Sequence, residues 1–353
     1  MTASIAAVLC CALFVVLNTA FTATMRRLAR TFEESVEGLS LNRRLGWRLT
    51  LLLLPATVSL ALIAPLVVEL QRGHESGLVA LCERLHSHCD LFLGSQMGLE
   101  VVTYGLLALG LTGGAGGIAW RQLGPTLGVL LRARPLPGTE MLAQATLRAA
   151  TDAGVELDVR ALDGVDAAVC TGLSRPTVVF APRFLATLDA DEVHAVLLHE
   201  VAHFRAWDGA RNAVLGFVGG LSFLPGASRP MLQRYALDRE LASDLRAVSY
   251  GADPLALASA LVKAGRLGCP SRGGAAALPA LPGPVRSALT ARVEHLLGLA
   301  GRPSPSSAPR LSPAEVPLAV TVLGAAAFVA GGLWGEWGFS LHCLVEELVH
   351  FIS

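Results

Sequence analysis

Ten consecutive residues, His199-Glu200-Val201-Ala202-His203-Phe204-Arg205-Ala206-Trp207-Asp208, constrain the fold more than any other stretch. Residues four apart on an α-helix share a face, so the two imidazoles of HExxH can reach one metal ion only if this segment is helical. Glu200 lies beside that face, within reach of a metal-activated water. HExxH on a helix is a zinc-metallopeptidase signature. The helix has a visible start. Asp189 and Glu192 form a capping-box pair ahead of the apolar run Val196-Leu197-Leu198.

Catalytic zinc needs a third protein ligand and one open position. Glu240, in Asp238-Arg239-Glu240-Leu241-Ala242-Ser243-Asp244, is the candidate. A helix puts Glu240 and Asp244 on one face. Glu240 would bind the metal, and Asp244 would accept a hydrogen bond from a ligand histidine, fixing its tautomer. The expected site is therefore His199, His203 and Glu240 around one Zn2+, with Glu200 as the catalytic base and Asp244 behind a ligand. Tyr235 and Arg239 are candidates to stabilise the oxyanion because they lie near Glu240. His194 is read as an ordinary, partly exposed histidine, since five residues separate it from His199. The expected fold is an α+β zincin, gluzincin-like.

The surroundings of the motif are apolar. The chain has 353 residues, is 53% hydrophobic and only 16% charged, with mean hydropathy +0.54. Soluble domains carry nearer a quarter charged residues. Four runs reach the roughly 20 apolar residues of a spanning helix. They are Thr2 to about Thr24, Leu49 to Val68, Gly98 to Ala119 and Val316 to Leu333, the last followed by Trp334 and Trp337 as an interfacial belt. The first run lacks the positive start of a signal peptide, so a retained helix is expected.

Arginines set the orientation, since the chain has 27 Arg and one lysine, Lys263. Arg26, Arg27, Arg30, Arg43, Arg44 and Arg48 follow the first run, and Arg121, Arg132 and Arg134 follow the third. The positive-inside rule puts these segments in the cytoplasm and both termini outside. The expected divisions are 1–120, three spanning helices; 121–311, a cytosolic peptidase domain; and 312–353, a fourth span with a short outer tail. Within the middle division, Gly138–Asp152, the segment from Asp189, Asp253–Leu267 and Val285–Leu299 read as helices. Val155–Leu162, Ala167–Cys170 and Thr177–Phe180 read as strands. Thr177–Phe180 is expected to be the sheet edge that pairs with an extended substrate. Gly268–Pro284 and Gly301–Ser312 read as loop and linker.

Zero formal net charge gives no reason to expect nucleic acid. The seven cysteines show no zinc pattern. Cys10 and Cys11 read as small core residues. Free thiols are expected throughout, although Cys82, Cys89 and Cys343 fall in segments placed outside the cytoplasm, where disulfides form.

HEVAHFRAWD, the 37-residue step from His203 to Glu240, Phe223-Leu224-Pro225 and RELASD resemble the BlaR/MecR-type membrane metallopeptidases, and so does the layout of three helices, zincin domain and fourth helix. The resemblance implies a zinc endopeptidase with His199, His203 and Glu240 as ligands and Glu200 as the catalytic residue. It also implies cleavage of the protein itself and of a cytoplasmic transcriptional repressor. Such receptors carry a penicillin-binding domain after the fourth helix, whereas here only about Gly335 to Ser353 follow. A penicilloyl acceptor needs Ser-x-x-Lys, but the residue three before Lys263 is Ala260. The expectation is a chain without a built-in β-lactam sensor, served by a separate sensor protein. TVVFAPRFLATLDADEVHAVLLHEVAH and RVEHLL also look like the HtpX and CAAX-prenyl-protease group, which implies membrane-protein quality control instead. A non-catalytic signalling protein on the same fold is the third reading.

Overall fold

The computed structural model describes residues 2–72, 124, 128–129, 131–136, 139–165, 167–172, 175–220, 225–267 and 285–301. It is a mixed structure in which helices dominate and one small sheet supports them. Two long helices open the chain, α1 (Thr2–Thr31) and α3 (Leu41–Arg72), joined by the short α2 (Glu33–Glu37). The first and second apolar runs fall in α1 and α3. The third and fourth runs, with Cys82, Cys89 and Cys343, lie outside the described residues. So do the loop 268–284 and nearly all of the linker after it. Among the described residues, no helix is long and apolar enough to cross a membrane. Cys11 is exposed rather than a core residue.

After the two-residue strand β1 (Arg134–Pro135) comes α4 (Glu140–Ala153). Thr139 caps α4 by accepting the Leu142 N–H at 3.3 Å. Leu142, Ala145, Ala149 and Ala153 recur at helical spacing and form its buried face. Gly154 ends it in the left-handed conformation, with φ 62°. Strands β2 (Asp158–Ala161), β3 (Ala168–Thr171) and β4 (Thr177–Phe180) complete a four-stranded sheet in the order β1-β2-β4-β3. β2 runs parallel to β4, while the outer pairs β1–β2 and β3–β4 are antiparallel.

β4 is therefore not an edge. Thr177-Val178-Val179-Phe180 is buried at every position, as a strand covered on both faces must be. Its unbroken apolar character marked a central strand, and the sheet's free edge on that side belongs to β3.

The short helix α5 (Pro182–Leu185) leads from β4 into α6 (Ala190–Arg205), which carries HExxH. The capping box is present. Asp189 accepts the Glu192 N–H at 2.9 Å, and Glu192 accepts the Asp189 N–H at 2.9 Å. Lys263 donates to the same Glu192 carboxylate at 2.5 Å and to the Thr187 carbonyl at 2.9 Å, fixing the start of α6 from a neighbouring helix. Every residue from Glu192 to His203 is buried, so α6 is a central helix rather than an amphipathic surface one. His194 is buried with it, 2% exposed, because its Nε2 meets Asp152 of α4 at 2.8 Å.

Among the described residues, four further helices follow: α7 (Asp208–Gly220), α8 (Pro225–Ser249), α9 (Pro254–Arg266) and α10 (Val285–Leu299). Two apolar clusters hold them. Val193, Leu197, Leu198 and Val201 of α6 pack with Val178 and Phe180 of β4, Leu257 of α9 and Leu296 of α10. Leu45, Leu51 and Leu52 of α3 pack with Leu215 of α7 and with Met231 and Tyr235 of α8. α8 thus lies between the metal-motif helix and the first helical hairpin.

The turn after β3 has one intolerant position. Gly172 sits at φ 116°, and a Cβ there would meet the Arg175 carbonyl oxygen at 2.0 Å. Gly172→Ala should destabilise the protein by more than about 1 kcal/mol. Thermal unfolding checks this, and an unchanged melting temperature would refute the strain.

A candidate metal centre

Each histidine of HExxH has one ring nitrogen held by a carboxylate and the other turned inward. His199 Nδ1 lies 2.9 Å from Asp244 Oδ1. His203 Nδ1 lies 2.7 Å from Asp208 Oδ2, with Ser243 Oγ at 3.2 Å. A carboxylate at Nδ1 fixes a proton there and leaves Nε2 as the atom that can bind a metal once it carries no proton of its own. The two Nε2 atoms then face each other at 3.0 Å. Glu240 Oε2 lies 3.7 Å from the first and 3.6 Å from the second. Two donors bound to one zinc at about 2.0–2.1 Å in tetrahedral geometry are roughly 3.3 Å apart, so the triangle has the size of a metal cup. All three residues are buried.

Charge points the same way. Glu200, Asp208, Glu240 and Asp244 are buried here, against two buried guanidiniums, those of Arg239 and Arg292. Arg211 reaches Asp208 only at 3.7 Å, from a side chain 22% exposed. Buried carboxylates need positive partners, which a proton on His203 supplies in the metal-free protein and a divalent cation could supply in its place. The donor set, the cup size and the surrounding carboxylates all fit a divalent metal held by His199, His203 and Glu240.

The fold explains how the site is assembled. HExxH occupies the last two turns of α6. Trp207 follows in the left-handed conformation, φ 57°, and is 66% exposed. This sharp turn starts α7 at Asp208 and brings that carboxylate back onto His203. α8 supplies Glu240 and Asp244 from one face. Glu200 is held separately, where its Oε2 accepts the Cys170 N–H of β3 at 2.8 Å.

The structure thus brings His199, His203, Glu240 and Asp244 together, with Asp244 against His199 Nδ1, while Glu200 follows His199 in the same helix and is anchored on β3. The oxyanion candidates go elsewhere. Arg239 donates to Glu240 Oε1 at 3.1 Å and to Asn212 Oδ1 at 2.5 Å, which makes it a support for the third candidate ligand. Tyr235 is wholly buried in the cluster against α3. Asp208 and Arg292 carry roles that no sequence reading gave them. Asp208 was visible as the last residue of HEVAHFRAWD, but only a turn at Trp207 could bring it back. Arg292 was visible only as part of RVEHLL. It grips Asp244 with Nε at 2.8 Å and Nη2 at 2.7 Å, and its Nη1 lies 3.1 Å from Glu240 Oε2.

These contacts set the ionisation of the site. Burial opposes the charged form of Asp244, but Arg292 and His199 outweigh it and bring its pKa down to about 2. Glu240 is held well below the usual carboxylate range. Burial acts against this, and His203 and Arg292 overcome it. Burial also opposes charge on His203, yet Glu240 and Asp208 push it up to about 10. A raised histidine pKa stabilises the metal-free fold fully below about 6.5, and that support is lost as pH rises through about 10. At pH 7.5 metal must therefore displace a proton from His203. Metal uptake should release at least one proton, and affinity should rise about tenfold per pH unit in the neutral range. Calorimetric titration in buffers of different ionisation enthalpy measures the release. Uptake without it would contradict the ionisation described.

No curated protein and no solved structure matches the chain. Residues 130–271, the segment that contains β1 to α9 and every predicted site residue, match the family model described as BlaR1 peptidase M56, in agreement with a BlaR1/MecR-type peptidase.

Proposed function

We propose that this chain is a membrane-anchored zinc endopeptidase that hydrolyses peptide bonds of a cytoplasmic regulatory protein, such as a transcriptional repressor, and also of itself. The observation that carries the chemistry is the buried triangle of His199, His203 and Glu240, on the helix where the buried Glu200 follows His199. A zinc ion bound there supplies Lewis acidity to a water and to a peptide carbonyl. Glu200 takes the proton of the attacking water as its oxygen adds to the carbonyl carbon. The same carboxyl group then gives that proton to the amide nitrogen as the C–N bond breaks. Anchoring Oε2 on the Cys170 N–H leaves Oε1 to carry it. Substrate lies extended along β3, the free edge nearest Glu200, where main-chain hydrogen bonds hold it without regard to sequence.

Membrane anchoring is supported by the apolar runs Gly98 to Ala119 and Val316 to Leu333 of the sequence. Orientation is supported by the arginine distribution and by contacts. Arg44 and Arg48, in the segment read as cytoplasmic, lie 3.7 and 3.2 Å from Asp238 of the metal-bearing α8. These contacts support a reading in which the metal domain and the arginine-rich segment share one side.

Glu200→Gln should lower peptide hydrolysis by about 100-fold or more, the scale of general-base catalysis. A chelator should abolish activity and zinc should restore it. Full activity in Glu200→Gln would overturn the proposed chemistry. The same variant should trap substrate in cells, and a single DNA-binding protein is expected in the trap. An assortment of misfolded membrane proteins would assign the protease to quality control instead.

A further inference from the structure

Arg292 is 2% exposed and lies 21 positions beyond the end of the matched segment at residue 271. Its helix, α10, is seated by Leu296, which is wholly buried, and by Leu289, whose Cδ2 would lie 2.8 Å from a Cβ on Gly265 of α9. From that seat the guanidinium meets three site residues together. Two parallel N–H donors grip Asp244, at 2.8 and 2.7 Å. Nη1 lies 3.1 Å from Glu240 Oε2, and Nη2 lies 3.3 Å from His199 Nε2. Those last two atoms are the inward-facing donors of the metal cup.

We infer that Arg292 is a positioning residue for the metal centre: its fork fixes Asp244, and through it His199, while its remaining N–H groups set where Glu240 Oε2 stands. This rests on the reading that His199, His203 and Glu240 hold a divalent metal. A planar fork is required because a carboxylate gripped by two parallel donors cannot rotate. Asp244 held in this way presents one oxygen to His199 Nδ1 in a fixed direction. The metal centre therefore includes α10, and the segment matched by the family model is not the whole of it.

The test is metal binding, read apart from proteolysis. The full chain in detergent is titrated with Co2+, whose visible absorption reports ligand number and geometry, and affinity is measured against a competing chelator. Three chains are compared: native, Arg292→Gln and Arg292→Lys. Arg292→Gln should bind Co2+ about 10- to 100-fold more weakly, the range for removing a group behind a ligand. Its absorption bands should also shift. Arg292→Lys keeps the charge but not the fork, and should fall between the other two. Should Arg292→Gln fail to fold, Arg292→Lys decides. Native affinity and native bands in a folded variant would overturn the proposal. A native chain that takes up no Co2+ would remove the metal reading itself, and this inference with it.

Discussion

The Nε2 atoms of His199 and His203 face each other at 3.0 Å, so a positive centre must join them, a proton in the metal-free protein or a metal ion that takes its place. The rest of the structure follows from holding that arrangement. Each ring is turned by a carboxylate behind it, Asp244 for His199 and Asp208 for His203. Each carboxylate is in turn contacted by arginine. Arg292 grips Asp244 at hydrogen-bonding distance, while Arg239 and Arg211 approach Asp208 only at 3.9 and 3.7 Å. The result is a layered shell of alternating charge around a centre that requires a positive ion. Removing one member of such a shell costs more than its own contact, because the opposite charge is left buried without a partner.

That shell explains why α6 is central. A helix carrying two histidines and a glutamate on an accessible surface would have water in place of the carboxylates and arginines. Burial of the whole segment from Glu192 to His203 forces each polar group to find a protein partner. The sheet is small, but it covers one flank of α6 and supplies the Cys170 N–H that orients Glu200. α8 covers another flank and brings two acids. α10 closes a third with one arginine.

What the sequence revealed divides along physical lines. Periodicity and capping belong to single helices, so α6, its Asp189–Glu192 box, α9 and α10 were legible, as were the shared faces of His199 with His203 and of Glu240 with Asp244. Which helices meet is not encoded in any one helix. The seat of α10 depends on Leu296 in the apolar cluster and on Leu289 against Gly265 of α9, and so Arg292 passed unnoticed. The role of Asp208 depends on a single left-handed residue, and tryptophan carries no sequence signal for that conformation. His194 was misread because its distance from His199 says nothing of Asp152, 42 positions earlier. β4 was misplaced to the edge for a different reason. Its composition was informative, since Thr-Val-Val-Phe lacks the alternation of a half-exposed strand, but the parallel pairing with β2 that covers it is a long-range fact.

α8 is shared by two parts of the molecule. Glu240 faces the histidines from one side of it. Two residues earlier Asp238 faces the opposite way, a separation of about 200° around the axis. It meets Arg44 and Arg48 of α3, and Arg48 is tied in turn to Glu33 at 2.8 Å. A helix turns as a rigid rod over so short a span. Any roll of α3 that drags Asp238 swings Glu240 about the same axis, by the same angle. The spacing of the candidate ligand atoms is thereby geared to the posture of the first helical hairpin.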